Sequence, residues 1–224
     1  MAVPFSKSDI SIQADIVEEI MRIDGLDNVE IPQSINIVPS SDQSGRNFTL
    51  NEKIANHLVG LGFSEIFTNS ITNSAFYKEE VLKSSVKMIN SLSAELDILR
   101  PEMVQSGLQV IAHNHNRKNN DLRLFEIGKT YQVTSENQYE EKRHLALYTS
   151  GNVNSLSWNQ AAKPVDFYYL KGVIDNIFTL GALRKTELIS VNNDMFDNGA
   201  EIQLGKKTVA KMGLISKKLL KQFD

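Results

Sequence analysis

The sequence predicts an α+β fold in which antiparallel strands are flanked by helices. Three observations lead there. Stretches of strand composition crowd the second half of the chain and follow one another across short polar connections, as antiparallel strands do. Helical periodicity is interspersed among them, around Leu50–Leu61, Val104–Ile111 and Phe167–Phe178, without the regular alternation of a βαβ array. The composition, 41% hydrophobic and 23% charged over 224 residues, is ordinary globular usage, enough for one large domain or one domain with a small appendage.

Each element has its own justification. In "ADIVEEIMRIDG" (14–25), Ile16, Ile20 and Ile23 recur at helical spacing. Asp15 stands at the expected N-cap, Glu18 follows three residues later, and Gly25 is the natural stop. "VEIPQSINIVPSSDQSGR" (29–46) carries Pro32, Pro39 and a Ser/Asp/Gly cluster, so an extended linker is expected there. "TLNEKIANHLVGLGF" reads as a helix with Leu50, Ile54, Leu58 and Leu61 on its buried stripe and Gly62 at its end. "SEIFTNSIT" (64–72) has the β-branched and aromatic content of a strand, "AFYKEEVLK" that of a short helix, and "VKMIN" that of another strand. "PEMVQSGLQVIAHNHN" places Val104, Leu108 and Ile111 on one helical face.

Strands are then expected at "LRLFEIGKTYQV" and "HLALYTSG", with "ENQYEEKR" as the hairpin connection. "FYYLKGVIDNIFTLGA" reads as a long helix turning Phe167, Leu170, Ile174, Ile177 and Phe178 inward. "ELISV", "AEIQL" and "TVAKMGLIS" close the chain as strands, the last two joined by a tight turn at Gly205-Lys206-Lys207.

Several function classes are disfavoured by composition. A net charge of −3 lacks the basic excess with which a chain grips a long phosphate backbone unaided. The absence of cysteine excludes disulfides, zinc-thiolate sites and a thiol nucleophile. No signal pattern opens the chain and no apolar run approaches a membrane span, so a soluble, cytoplasmic protein is expected. Phosphate-cradling glycine motifs, HExxH and GxSxG do not occur. His113 and His115, two residues apart on a helix, point to different faces and chelate poorly. Trp158, the one tryptophan, is expected to anchor a polar loop.

The opening carboxylates Asp9, Asp15, Glu18 and Glu19 admit two readings. Three of them share a helix face, and oxygen ligands suit a hard cation such as Mg²⁺. Acidic residues in a first helical turn are equally accounted for by the helix dipole and its free N–H groups. On the residues alone, the helix start is the simpler reading.

Six stretches in order resemble one family. They are "VPFSKSDISIQADIVEEIMRIDGLDNVEIP", "GLGFSEIFTNSIT", "INSLSAELDILRPEMVQSGLQVIAHNHNR", "RLFEIGKTY", "W…VDFYYLKG" and "GLISKKLLKQFD". Together they resemble the β subunit of bacterial phenylalanine–tRNA ligase. The resemblance implies three parts: residues 1–32 as the end of a small DNA-binding-like domain, 33–46 as a linker, and 47–224 as a class II aminoacyl-tRNA synthetase-like module truncated at its C-terminus. It also implies an excised piece of a longer subunit, with Met1 foreign to it.

On the resemblance, the module is structural rather than catalytic. An active class II site grips ATP with one arginine in a strand-loop-strand segment and another at a helix start. Arg123 is the nearest candidate here and is out of step with the family's pattern, and no G-x-E-R helix start occurs. The resemblance implies an (αβ)₂ enzyme that joins L-phenylalanine to tRNA with ATP and Mg²⁺. It assigns Mg²⁺ to Asp9, Asp15, Glu18 and Glu19, shared with the α subunit. Lys7-Ser8 departs from the family's usual residues beside that site. Contact with α is expected from the Thr49–Leu61 helix and the strand beginning at Ser64, leaving an apolar patch and self-association in the isolated chain. The rival readings are a free-standing amino-acid-activating enzyme on the same fold and a nucleic-acid-binding module.

Overall fold

The computed structural model describes residues 3–38, 43–91, 93, 95–135, 138–154 and 157–223. Met1, the linker positions 39–42, Leu92 and Ala94, the 136–137 connection and the 155–156 part of the Trp158 loop lie outside the described residues. The chain divides into two units, Met1–Asp42 and Gln43–Asp224.

The first unit is built on helix α1 (Gln13–Asp24) and a single 3₁₀ turn at Leu26–Asn28. The N-cap is Ile12 rather than Asp15. Asp15 occupies the third helical position and reaches back, its Oδ2 accepting from the N–H groups of Ser11 (2.8 Å) and Ile12 (2.9 Å). The capping logic therefore holds one turn earlier than the sequence suggests, with the carboxylate acting from inside the helix. Gly25 ends the helix at φ 99°, a backbone setting that side-chain-bearing residues rarely adopt. None of α1's residues is buried, and Ile23 of the expected apolar stripe is 89% exposed.

The second unit opens with α2 (Gln43–Gly60), which begins inside the stretch expected to be linker. The stretch expected as one strand at 64–72 is instead two short pieces, β1 (Ser64–Glu65) and β2 (Ile71–Thr72), with an irregular segment between them. Helix α3 (Glu79–Leu82) follows, and then β3 (Ile98–Leu99), which pairs antiparallel with β2. "VKMIN" forms no strand; it contributes one bridge, Lys87 to Ile98, and leaves Ile89 exposed. Helix α4 (Val104–His115) leads into the long strands β4 (Leu122–Ser135) and β5 (Gln138–Ser150). Residues 138–143, expected to be a connection, are thus strand, and the ladder runs from Leu122 opposite Ser150 to Ser135 opposite Gln138. β1 joins the edge of β4 in parallel, the one departure from antiparallel pairing among the described ladders.

A small ladder of β6 (Asn152–Asn154) and β7 (Lys163–Pro164) precedes α5 (Phe167–Leu180). β8 (Thr186–Val191), β9 (Phe196–Leu204) and β10 (Lys207–Ile215) form an antiparallel meander before the final short helix α6 (Lys217–Leu220). Gly205, at φ 61°, supplies the left-handed residue of the β9–β10 turn.

Two-residue periodicity gives the β4–β5 hairpin two covered faces. On one face Leu122, Leu124 and Tyr148 form a buried cluster with Ile66, Ala146 and Val110 and Ile111 of α4. On the other, Phe125 packs with Leu58 and Phe63 from the α2 end and with Val173 and Ile177 of α5. The far side of α5 brings Ile174 and Phe178 onto Ala200, Ile202 and Met212 of the meander. Helix α5 therefore ties the two sheets together, as its inward-facing residues foretold.

Candidate functional site

The chemistry of the second unit concentrates on the α4-facing side of the β4–β5 hairpin. Arg100, just after β3, and Glu126 of β4 form an ion pair at 2.9 Å with side chains only 2% and 1% exposed. Arg100 also donates from Nε to the Lys129 carbonyl (2.8 Å) and from Nη1 to Thr68 Oγ1 (2.7 Å). The Glu126 carboxylate accepts from the Thr68 hydroxyl (2.8 Å) and the Thr68 N–H (3.3 Å). A buried charge is tolerated only with such complete pairing. Gly128 is what lets the guanidinium through: a Cβ there would stand 2.3 Å from an Arg100 terminal nitrogen.

Further along the same face, Thr130 Oγ1 lies 2.8 Å from His144 Nε2. Burial, with Lys142 and Arg100 nearby, holds the His144 imidazole below its ordinary value. Tyr77 and Tyr148, both buried, have their phenols pushed up, chiefly by loss of solvent. No local pattern announces this network, because its members are scattered along the chain. The available signal was a lone acid inside the apolar strand "LFEI".

Arg123, the nearest candidate for an ATP-gripping arginine, is two-residue-periodic with Phe125 and so lies on the opposite face of the hairpin from Glu126 and Tyr148. Its guanidinium covers Gly62, where a Cβ would be 3.2 Å away. His113 and His115 diverge as expected: His115 Nε2 meets Ser150 Oγ at 2.7 Å, whereas His113 gives its carbonyl to Arg117. Trp158 does not anchor its loop: beside the Ser157–Gln160 bridge its side chain is 97% exposed.

In the acidic segment, the chain's own geometry serves the helix. Asp15 spends one oxygen on two backbone donors, which holds its carboxyl below the usual value, the Ile12 N–H contributing most. Glu19 pairs with Arg22 at 3.0 Å across one turn. Asp9 and Glu18 are exposed. Among the described residues, no three His, Cys, Asp or Glu side chains converge as metal ligands would.

The family model for the phenylalanyl-tRNA synthetase beta chain CLM domain matches residues 31–224. The chain belongs to that family. It is similar to the phenylalanine–tRNA ligase beta subunit of Bacteroides fragilis, 35% identical over 239 residues, covering 100% of this chain and 29% of the relative. The corresponding Thermotoga maritima subunit is 29% identical over 226 residues, covering 99% of this chain and 28% of the relative. The chain spans less than a third of the length of these relatives. Among solved structures, the pyrrolysyl-tRNA synthetase of Desulfitobacterium hafniense superposes with a TM-score of 0.62 at 17% identity, covering 79% of this chain and 61% of that one. That likeness shows a shared class II synthetase-like fold over 79% of this chain. No described helix is long and apolar enough to cross a membrane.

Proposed function

We propose that this beta-subunit module is non-catalytic and architectural, serving a phenylalanine–tRNA ligase that joins L-phenylalanine to its tRNA with ATP. The observation that carries this reading is the disposition of arginines around the hairpin. The guanidinium on the α4-facing side, Arg100, is consumed by Glu126, Thr68 and a carbonyl, and Arg123 lies on the other face. Stabilising charge on a transferring phosphoryl group requires preorganised cations free to meet it. Phenylalanine-dependent ATP–pyrophosphate exchange by the chain alone is the test, and no exchange above background is expected. Sustained exchange would establish the free-standing activating enzyme instead.

The partner is an α subunit, in an (αβ)₂ enzyme of the cytoplasm that receives tRNA as a whole. Exposed apolar side chains support a contact along α2 and the segment after β1: Phe48, Val59 and, 97% exposed, Phe67. A nucleic-acid-binding role for the isolated chain is disfavoured by its net charge of −3. For Mg²⁺, Asp9, Asp15, Glu18 and Glu19 are proposed as ligands only in the assembled enzyme, where α contributes to the site. Mg²⁺ there would offset two of the four negative charges that assembly would gather, with α supplying the rest of the site.

A further inference from the structure

We propose that the space between α4 and the β4–β5 hairpin is a ring-binding site which the chain closes with its own Tyr148. This rests on the non-catalytic reading and deepens it: beside the paired Arg100 guanidinium, the same hairpin face is occupied by a ring of the chain itself. Tyr148 is 8% exposed and lies opposite Leu124 in the ladder. Its ring is held in the apolar cluster with Leu122 and Leu124, packed by Ile66, Val110 and Ile111. At its para position the hydroxyl donates to the Met103 carbonyl at 2.7 Å.

The fourth wall is an absence of side chain. Gly107 sits inside α4, where glycine is the poorest ordinary helix former. A Cβ at that position would stand 2.1 Å from Tyr148 Cε1 and 2.2 Å from Cζ, far inside contact distance. The helix thus accepts an unfavourable residue at the one place where a flat ring must lie against its backbone. Apolar walls around the ring and one carbonyl acceptor at the para end define the chemical class of occupant as a phenol.

The test removes the occupant and returns it as a free molecule. In Tyr148→Ala, phenol is expected to raise the melting temperature in a saturable manner, with benzene weaker because it cannot donate to the Met103 carbonyl. The unaltered chain and Tyr139→Ala, whose tyrosine is exposed, should show no such response. If Tyr148→Ala does not fold unaided, refolding in saturating phenol is the readout, and failure to recover the fold overturns the proposal. Gly107→Ala supplies an independent arm. It should lower the melting temperature when Tyr148 is present and leave it unchanged or higher in the Tyr148→Ala background. Equal penalties in both backgrounds, or no phenol response in a folded Tyr148→Ala, overturn the ring site. ATP–pyrophosphate exchange by the unaltered chain would instead overturn the non-catalytic reading and leave the phenol result standing.

Discussion

Replacing Glu126 by alanine is the most informative perturbation of the fold. It removes one partner of an ion pair whose side chains are 2% and 1% exposed, and leaves the Arg100 charge buried with only neutral acceptors. Truncating one partner of a buried pair costs about 3–5 kcal/mol, because the remaining charge stays desolvated. Glu126 also accepts twice from Thr68, so the expected loss lies in the upper part of that range. With a urea m-value of about 3 kcal/mol/M, the midpoint should fall by roughly 1–2 M at unchanged slope. Far-UV circular dichroism is the appropriate probe, since Trp158 is exposed and reports little of the core. The double replacement Arg100→Met/Glu126→Leu removes both charges. It should lose less than Glu126→Ala alone, although the Lys129 carbonyl is left without its donor, a penalty of about 1–3 kcal/mol. A loss below about 1 kcal/mol for Glu126→Ala, or a double variant less stable than the single, would refute the reasoning from buried charge.

Three further predictions follow from other parts of the chain. Asp166 caps α5 by accepting the Tyr169 N–H at 2.7 Å, so Asp166→Ala should cost about 1 kcal/mol in urea denaturation; no measurable change would remove the cap from the account. The lowered His144 pKa means the unfolded chain takes up the proton first, so stability should decline as pH falls from 6.5 toward the folded value. His144→Gln should flatten that slope, and an identical slope in the two chains would contradict it. Asp15 is depressed below 3.8 by its backbone donors, so its stabilisation of α1 is present above that pH and lost as pH falls through the lower folded value. The Ser11 and Ile12 amide resonances should titrate with a midpoint below 3.8, and a midpoint at or above it would break the link.

What was legible in the sequence depended on whether tertiary contact was needed to see it. Helix α5 and the parts of β9 and β10 that meet it were readable because apolar residues repeat at 3.6 and 2 positions where these elements form the core, whereas the opening of β9, Phe196–Gly199, was not expected as strand. The first part of β5 was not, because Gln138–Arg143 is strand on a solvated ladder and carries polar residues throughout. The opening turns of α2 escaped for the same reason, lacking an apolar stripe before Leu50. The stretch 64–72 had strand composition, yet it turns to bring Thr68 to Glu126, a contact made across 58 positions that no local pattern announces. At the acidic segment, the capping chemistry was readable and its register was off by one turn, since Asp15 works from the third helical position. The resemblance assigned four ligands there, and the chain alone holds two of them in other bonds.

A module that exists to support an α subunit should co-purify with it. The chain and its Asp15→Ala/Glu18→Ala/Glu19→Ala variant would each be mixed with a phenylalanine–tRNA ligase α subunit, with and without Mg²⁺. The unaltered chain should form a stable complex, tightened by Mg²⁺, with the Mg²⁺ effect lost in the variant. Failure of the folded, unaltered chain to bind α under any of these conditions would contradict it.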